Sequence, residues 1–414
     1  MKVLMLGWEF PPILSGGLGM ATYGIVKYLR SHAGIKLILP VCEPSFTLAD
    51  VHTVGINTAD SESLTHSLNT GELVEEVNRI PLTVSPYHHT NILLQSGKYE
   101  SNADESTTHE IIRDYFSADT LYGYDILRKV HLFAVLADQL ANPVDYDVIH
   151  AHDWVTYPAG LRIHERTGKP LVLHVHSLET DRAGEDVRNE IYSLEQNAFG
   201  QASRIIAVSG YTKQQINKQY GIDQNKIEAI HNGIEPHVFS RKQHKLKDKY
   251  VVFLGRITHQ KGPDFLLETA EKLVRVRPDV KFVVAGTGDQ FAHLLTTTAY
   301  KKLGNKFIFT GFLTKEKVDE LLSMADVYFM PSVSEPFGLT ALEAAQHDVP
   351  GVISKESGVS EVLRGSLKAD FWDTDRYANY IHALLAYETL HKVVSEKAKH
   401  ELSGLTWDHT ALKI

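Results

Sequence analysis

The sequence is poor in cysteine and lacks long apolar runs, and each absence narrows the class of protein. Cys42 is the one cysteine among 414 residues, so no disulfide can form within the chain. This favours a reducing compartment, and we expect a cytoplasmic protein. Since no stretch of about eighteen apolar residues occurs, we expect no membrane-spanning segment. The apolar start, MKVLMLGWEF, is too short for a signal peptide and meets Pro11 and Pro12, so it predicts a first strand.

Basic residues are also outnumbered by acidic ones, so the formal net charge is -9 at pH 7. A general nucleic-acid-binding protein displays a basic surface, so this balance argues against that function. It still allows a small basic pocket for a phosphorylated ligand. The length exceeds what one hydrophobic core usually supports, which predicts two domains. Nothing in the sequence indicates an oligomeric state.

Short β-branched runs alternate with longer helical patterns. The strands predicted in the first half are KVLMLG (2–7), IKLILP (35–40), YDVIHAHD (146–153), KPLVLHVHS (169–177), SRIIAVS (203–209) and KIEAIHNG (226–233). The pattern then restarts with KYVVFLGR (249–256), VKFVVAG (280–286), KFIFTG (306–311), ADVYFMPS (325–332) and VPGVIS (349–354). Near-continuous apolar strands between helices predict an α/β fold with parallel sheets covered on both faces. Ligands of such sheets bind beyond the carboxyl ends of the strands, and two such domains facing each other would form a cleft.

Two polar stretches interrupt this pattern. The basic stretch SRKQHKLKDK (240–249) is typical of a linker, so we expect a domain boundary near residue 240. The segment from about 43 to 120 is rich in Ser, Thr, Asn and Asp and predicts an insertion, along the surface or as an acceptor-binding flap.

A glycine-rich loop, SGGLGM (15–20), directly follows the first predicted strand. Gly16, Gly17 and Gly19 permit backbone conformations that other residues avoid, and a helix is predicted from about Met20 to Leu29. The amides at the start of a helix can bind a phosphate. The alternative is a tight turn that only serves packing. The glycine spacing differs from the dinucleotide-binding fingerprint.

Two cations lie on the loop GRITHQKG (255–262), after the first strand of the second half. Arg256 and Lys261 together offer a planar fork of donors and a compact ammonium, which suit a diphosphate. The alternative is two solvated surface cations.

Two glutamates bracket the start of a predicted helix in SEPFGLTALEAA (334–345). Glu335 lies on the preceding loop, Gly338 and Leu339 begin the helix, and Glu343 follows about one turn later. Carboxylates accept hydrogen bonds from the hydroxyl pairs of a ribose or a hexose, whereas the helix start attracts phosphates. The alternative is one capping glutamate and one solvated glutamate.

Several histidines lie at two predicted strand ends, HAHDW (150–154) and LHVHS (173–177). Alternation places His174 and His176 on one face of their strand. Such a pair could bind a metal, but no third ligand has matching spacing, so we predict no metal site. Packing is the expected role of His150 and His174, whereas His176 and Asp153 are the functional candidates.

Taken together, the motifs resemble those of the retaining glycosyltransferases of family 4, including their glycogen and starch synthase relatives. The resemblance rests on WEFPP, GGLG, DVIHAHDW, LHVHS, RIIAVSGYT, HNGIEPHVF, GRITHQKG and EPFGLTALEA. It implies the GT-B fold, an α/β architecture of two Rossmann-like domains with parallel sheets facing across a cleft. Residues 1–240 would form the acceptor-side domain, residues 241–394 would bind the nucleotide-sugar, and the helix at 395–414 would cross back to the first domain.

The resemblance also implies roles for individual residues. Arg256 and Lys261 would hold the donor diphosphate, Glu335 would contact hydroxyls of the transferred sugar, and Glu343 would bind the ribose. His176 would lie beside the reacting carbon, and Asp153 would orient a sugar. The remaining implied contacts are made by the backbone of the phosphate-binding loops and of the segment that meets the base: Gly16, Gly17, Phe312, Leu313, Gly338, Leu339 and Thr340.

The implied reaction transfers a hexose with retention, by front-face attack, from a UDP-, ADP- or GDP-sugar, without a metal or a cofactor. Two residues depart from bacterial glycogen synthases, which carry a lysine where this chain has Leu14 and an aspartate where it has Met20. Archaeal-type synthases also lack that lysine, so transfer of glucose to a glucan is our first hypothesis. The alternatives are a hexosyltransferase that acts on a small or lipid-linked acceptor, a nucleotide-sugar epimerase, and an inactive binding module.

Overall fold

A computed structural model describes residues 1–14, 16–59, 115–117, 121–123, 125–236 and 248–414. The described residues divide into two compact units. Unit 1 contains residues 1–207, 213–230 and 411–414, and unit 2 contains residues 208–212 and 231–410.

Unit 1 is built on a seven-stranded sheet. Its strands are β1 (Lys2–Leu6), β2 (Gly34–Leu39), β3 (Val51–Gly55), β4 (Val148–His152), β5 (Leu171–Val175), β6 (Arg204–Ala207) and β7 (Ile227–Ala229). They pair in parallel in the order β3-β2-β1-β4-β5-β6-β7. The helices in chain order are α1 (Gly17–Leu29), α2 (Ile126–Leu140), α3 (Tyr157–Thr167), α4 (Glu179–Ala183), α5 (Glu190–Gln201) and α6 (Gly210–Tyr220), the last of which begins in unit 2.

Unit 2 is built on a six-stranded parallel sheet. Its strands are β8 (Lys249–Leu254), β9 (Val280–Ala285), β10 (Phe307–Gly311), β11 (Val327–Met330), β12 (Gly351–Ser354) and β13 (Leu367–Ala369), in the order β10-β9-β8-β11-β12-β13. Its helices are α7 (Pro263–Val276), α8 (Phe291–Tyr300), α9 (Lys315–Met324), α10 (Leu339–Gln346), α11 (Val359–Val362), α12 (Thr374–Ala386), α13 (Glu388–Leu402) and α14 (Trp407–Lys413), whose last residues belong to unit 1.

Alternation along the strands of unit 2 produces a hydrophobic core on each face of the sheet. Phe253 and Phe329 pack in one cluster together with residues of α7 and α12. Val252 and Tyr328, their immediate neighbours in sequence, pack in the other cluster with residues of α9 and α10. Because both faces are covered, both sets of side chains are apolar, as the near-continuous apolar runs predict.

The division between the units falls at residues 230 and 231, about ten residues before the predicted linker. Two hydrogen bonds explain the difference. The amide of Ile234 donates to the carbonyl of Leu405 at 2.9 Å, and the hydroxyl of Thr410 donates to the carbonyl of His231 at 2.8 Å. These bonds tie residues 231–235 to the end of unit 2. Residues 395–410 likewise belong to unit 2, and only residues 411–414 group with unit 1.

The predicted insertion at 43–120 needs one correction. Residues 51–55 form β3, which pairs in parallel with β2 at the edge of the unit 1 sheet. Its alternating polar residues, in VHTVG, conceal the strand, since an edge position does not require a continuous apolar run. Most of the remaining segment, residues 60–114 and 118–120, lies outside the described residues.

Candidate functional site

In both units, sequence-predicted site residues follow the carboxyl ends of strands near the point where the strand order reverses. In unit 2 the reversal lies between β8 and β11, which are paired neighbours. Arg256 and Lys261 follow β8, and Glu335 follows β11. Open α/β sheets bind ligands at such reversals, beyond the carboxyl ends of the strands. The topology therefore brings these three predicted residues together beyond the carboxyl ends of β8 and β11.

Close backbone contacts hold the loops that follow β8, β9 and β10. The amide of Gly255 donates to the carbonyl of Ala285 at 3.0 Å, and the amide of Gly286 donates to that of Gly311 at 2.8 Å. Gly286 has a φ of 139°, and a Cβ there would lie 1.9 Å from the Gly255 carbonyl oxygen. Glycine alone permits this approach. The loop that carries Arg256 is thereby fixed at its base.

Lys261 and Glu335, which lie 74 residues apart in sequence, form an ion pair with Nζ 2.5 Å from Oε2. The hydroxyl of Ser332 donates to the same carboxylate oxygen at 3.2 Å. Glu335 is buried, and its backbone pairs with residues 356–358 beyond β12. The turn after Lys261 approaches the loop after β11 closely, because a Cβ on Gly262 would lie 2.2 Å from the Pro331 carbonyl oxygen. The pair therefore has a fixed backbone on both sides.

Arg256 lies on the same loop as Lys261, and its side chain is exposed. Its carbonyl accepts a bond from the amide of Thr258 at 3.1 Å, which shapes the turn between the two cations. The loop thus presents one exposed guanidinium and one half-buried ammonium.

The helix start beside this pair has the backbone that the sequence predicts. Gly338 is left-handed, with φ 106° and ψ 55°, and α10 begins at Leu339. The hydroxyls of Thr340 and Tyr328 are 2.7 Å apart. The first amides of a helix have no partner within the helix, so this turn can donate to an anion.

Glu343 lies one turn further along α10 and pairs with a lysine that the sequence analysis missed. Lys315 Nζ lies 3.1 Å from Glu343 Oε1 and 3.3 Å from Asp319 Oδ1. Burial opposes the charged ammonium, but the two carboxylates outweigh it and raise the pKa of Lys315. Lys315 begins α9, directly after the loop that carries Phe312 and Leu313. The Lys315–Glu343 pair therefore links Glu343 to the predicted base-binding segment. In that segment Phe312 is 72% exposed.

In unit 1 the glycine loop behaves partly as predicted. Gly16 is extended, and α1 begins at Gly17, about three residues earlier than expected. A Cβ on Gly16 would meet nothing within 4 Å, whereas a Cβ on Gly19 would lie 2.9 Å from Glu9 Cβ. Packing therefore requires glycine at Gly19. Glu9 is buried and accepts a hydrogen bond from Tyr122, and neither residue was a sequence candidate.

Asp153, after β4, is buried and holds the loop after β5. Its Oδ1 accepts the amides of His176 at 2.6 Å and Ser177 at 3.2 Å, and its Oδ2 accepts the Ser177 hydroxyl at 3.2 Å. Asp153 has a left-handed backbone with φ 59°. Burial raises the pKa of Asp153 to about 6, although Arg182 and these donors oppose the shift. The carboxylate therefore positions His176.

The histidines of β4 and β5 lie together, although sequence spacing alone indicates no third ligand for the His174–His176 pair. Possible ligand nitrogens of His150, His152 and His174 all lie within 4.8 Å of one another. His152 Nδ1 lies 2.9 Å from His176 Nε2. Burial lowers the pKa of all four side chains, and that of His150 falls to about 3. The sequence spacing missed this cluster because the pairing of β4 with β5 creates it.

The comparisons with known proteins agree with this architecture. The family description "Glycosyl transferases group 1" matches residues 236–401, and "Glycosyltransferase Family 4" matches residues 88–238. An uncharacterized glycosyltransferase of Methanocaldococcus jannaschii is 26% identical over 99% of this chain and 96% of its own length. A glycogen synthase of Mycobacterium tuberculosis is 24% identical, with 88% and 80% covered. A D-inositol 3-phosphate glycosyltransferase of Mycobacteroides abscessus is 27% identical, with 75% and 74% covered.

Solved structures show the same fold over the whole chain. The Anabaena protein Alr3699/HepE, in complex with UDP and glucose, has a TM-score of 0.68 at 16% identity, covering 100% of this chain and 98% of its own. Sucrose-phosphate synthase of Thermosynechococcus elongatus has a TM-score of 0.67 at 17% identity, covering 100% and 96%. The two parallel sheets and these neighbours show that the chain has the GT-B fold.

The family matches then place the chain within this class. Their ranges, 88–238 and 236–401, leave only the two ends of the chain unmatched. The chain belongs to the family 4 glycosyltransferases. Among the described residues, no helix is both long and apolar enough to cross a membrane.

Proposed function

We propose that the chain is a retaining hexosyltransferase that transfers glucose from a nucleotide-sugar to a glucan. The observation that carries the proposal is the Lys261–Glu335 pair beside the α10 helix start, at the strand reversal of unit 2. A cation and free helix amides suit a diphosphate, and a carboxylate next to them suits sugar hydroxyls.

The residues of unit 2 divide the donor between them in this proposal. Arg256 and Lys261 bind the diphosphate, Glu335 accepts hydroxyls of the hexose, and Glu343 accepts those of the ribose. The segment Phe312–Leu313 contacts the base, since Lys315 links it to Glu343. The amides of Leu339 and Thr340, after the turn at Gly338, complete the phosphate contacts.

The proposed reaction breaks the bond between the anomeric carbon and the diphosphate oxygen, and the bonding electrons leave with the nucleoside diphosphate. The acceptor hydroxyl attacks the anomeric carbon from the same face, and its proton moves to the departing phosphate oxygen. Arg256 and Lys261 stabilise the charge that develops on that oxygen, the task a metal ion performs in other transferases. In unit 1, His176 contacts the transferred sugar, Asp153 holds its loop, and the backbone at Gly16 and Gly17 faces a phosphate.

Two kinds of relative support different acceptors. The glycogen synthase relative spans 88% of this chain, which supports the glucan. The D-inositol 3-phosphate glycosyltransferases span less of it, from 64% to 75%, and support transfer to a small phosphorylated acceptor as the second candidate. We rank the glucan first because that relative covers more of the chain.

The test is release of nucleoside diphosphate from UDP-glucose, ADP-glucose and GDP-mannose, each without acceptor, with glycogen, and with D-inositol 3-phosphate. We expect glycogen-dependent release from one glucose donor, and NMR of the product should show the anomeric configuration of the donor. Release that depends on the inositol phosphate alone establishes the second candidate. Free sugar without an acceptor indicates an epimerase or hydrolase, and donor binding without turnover on any acceptor indicates a binding module.

A further inference from the structure

Four histidines at the ends of β4 and β5 form a cluster, of which the proposed transfer reaction uses only His176. The register places His152 directly opposite His174. Alternation brings His150 and His176 onto the same face as these two. The rings of His174 and His176 lie 4.5 Å apart, and those of His150 and His152 lie 4.4 Å apart. We call residues 150, 152, 174 and 176 the histidine cluster.

The spacing of the ring nitrogens fits a metal ion. His150 Nε2 lies 3.3 Å from His174 Nδ1, and nitrogens of His150, His152 and His174 lie within 4.8 Å of one another. Zinc binds imidazole nitrogen at 2.0–2.1 Å, so two ligands of a tetrahedral zinc have nitrogens about 3.3 Å apart. The His150–His174 pair already has this separation, and rotation of the rings about their side-chain torsions can bring a nitrogen of His152 in.

The cluster also contains ring nitrogens that the described residues leave without hydrogen bonds. His152 Nε2, His174 Nε2 and His176 Nδ1 are buried and have no partner there. Buried polar atoms without partners are rare in folded proteins, and each calls for an explanation.

We propose that His150, His152 and His174 bind a divalent transition-metal ion, with zinc as the first candidate. Imidazole ligands suit zinc, copper, nickel and iron, whereas magnesium and calcium require oxygen ligands. The ion cross-links β4 to β5 and fixes the ring of His152, and thereby orients His176 through the contact of 2.9 Å between their nitrogens. His176 is half-buried, so the ion enters from its side of the cluster.

The experiment measures zinc on the full chain without an affinity tag. The protein is stripped with a chelator, equilibrated with zinc and passed through a desalting column, and the metal is counted by mass spectrometry. We expect about one zinc per chain and a rise in Tm of about 5 °C or more at a hundredfold excess over Kd. Cobalt should give the visible absorption of an imidazole complex, which zinc then abolishes.

Two variants locate the ion. His174→Gln removes one ligand and should weaken zinc binding by at least about tenfold. The matched control changes both His88 and His89 to glutamine, because these adjacent histidines offer a pair of imidazoles that the proposed site does not use. This control should bind zinc as the unchanged chain does. His150→Gln provides a second ligand variant if His174→Gln does not fold.

The unchanged chain decides the proposal without any variant. Less than about 0.2 zinc per chain under the same conditions, with no cobalt absorption, would overturn it. Equal binding by a folded ligand variant, or loss of binding in the His88 and His89 control, would also overturn it. None of these readouts uses a sugar donor, so the proposed transferase activity can fail independently of the metal site.

Discussion

At the scale of single residues, the Lys261–Glu335 pair determines what can bind beyond the carboxyl ends of β8 and β11. A buried carboxylate is costly unless it is paired, and Glu335 meets this need through Lys261 and Ser332. The same pairing holds the lysine at one point beside the α10 helix start. The two side chains therefore depend on each other. A loss of turnover after a single substitution can thus result from lower stability or from impaired catalysis.

We expect Lys261→Ala to lower turnover by about a hundredfold, because it removes a donor that stabilises the departing diphosphate. The measurement is kcat with the donor and acceptor that the release assay identifies. Lys317→Ala is the matched control. Lys317 is exposed on α9 of the same unit and pairs only locally with Glu320, so its loss should leave turnover unchanged.

A double variant separates catalysis from stability. Lys261→Ala leaves Glu335 buried without its cation, whereas Lys261→Met combined with Glu335→Gln removes both charges. If Lys261 acts on the leaving group and Glu335 on the sugar hydroxyls, the double variant stays inactive even where its Tm recovers. Recovery of turnover in the double variant would contradict the assigned role of Lys261.

At the scale of elements, the sequence predicted most of both sheets, since strands covered on both faces are short, nearly continuous apolar runs. It missed β3 and β13, whose sequences are VHTVG and LKA. Both are edge strands, and each contains polar residues that conceal it. Strand order was not predicted at all, because the pairing of β8 with β11 depends on contacts between distant residues.

The candidate site was predictable to a similar degree. Motifs identified Arg256, Lys261, Glu335 and Glu343, because each lies in a short pattern after a predicted strand. They missed Lys315 and the partners of His174, because those contacts join elements whose sequence separation carries no signal. The loop geometry that aligns the residues rests on glycine contacts, which become visible only in three dimensions.

We expect Gly286→Ala to lower the free energy of unfolding by about 2 kcal/mol or more. The change places a side chain at φ 139° and a Cβ 1.9 Å from a backbone oxygen of Gly255, and neither group can move without disturbing the loops after β8 and β9. Urea denaturation measures the effect.

Gly304→Ala is the control for this prediction. Gly304 lies later in the same connection, between β9 and β10, where a Cβ would meet nothing within 4 Å. This change should alter the free energy of unfolding by less than about 0.5 kcal/mol. Equal effects of the two substitutions would show that the close approach at Gly286 does not constrain the loops.

At the scale of the whole molecule, the chain crosses between the units several times, so unit 2 is not one continuous stretch. Residues 208–212 belong to unit 2, although β6 precedes them and most of α6 follows in unit 1. Glu361 of α11 fastens this segment, because its carboxylate accepts the amides of Gly210 at 3.0 Å and Tyr211 at 2.6 Å. It also lies 2.7 Å from His231 Nε2, in the second segment that enters unit 2.

We expect Glu361→Gln to loosen the segment at residues 208–212, because an amide accepts these bonds less strongly than a carboxylate. At pH 7 the amides of Gly210 and Tyr211 should exchange hydrogen at least about tenfold faster, a change of about 1.4 kcal/mol in local opening. Glu320→Gln, on the exposed face of α9, is the control and should leave this exchange unchanged.

The pH dependence gives the prediction a second, independent check. Burial opposes ionisation of Glu361, but His231 and the two amides outweigh it, so the folded state lowers the pKa of this carboxyl below 4.5. The stabilisation is therefore present above the unfolded pKa of 4.5 and is lost as the pH falls through the lower folded value. The exchange difference between the unchanged chain and Glu361→Gln should persist at pH 6 and narrow below about pH 4. A difference that stayed constant, or that appeared only in acid, would show that Glu361 does not fasten the segment as a carboxylate.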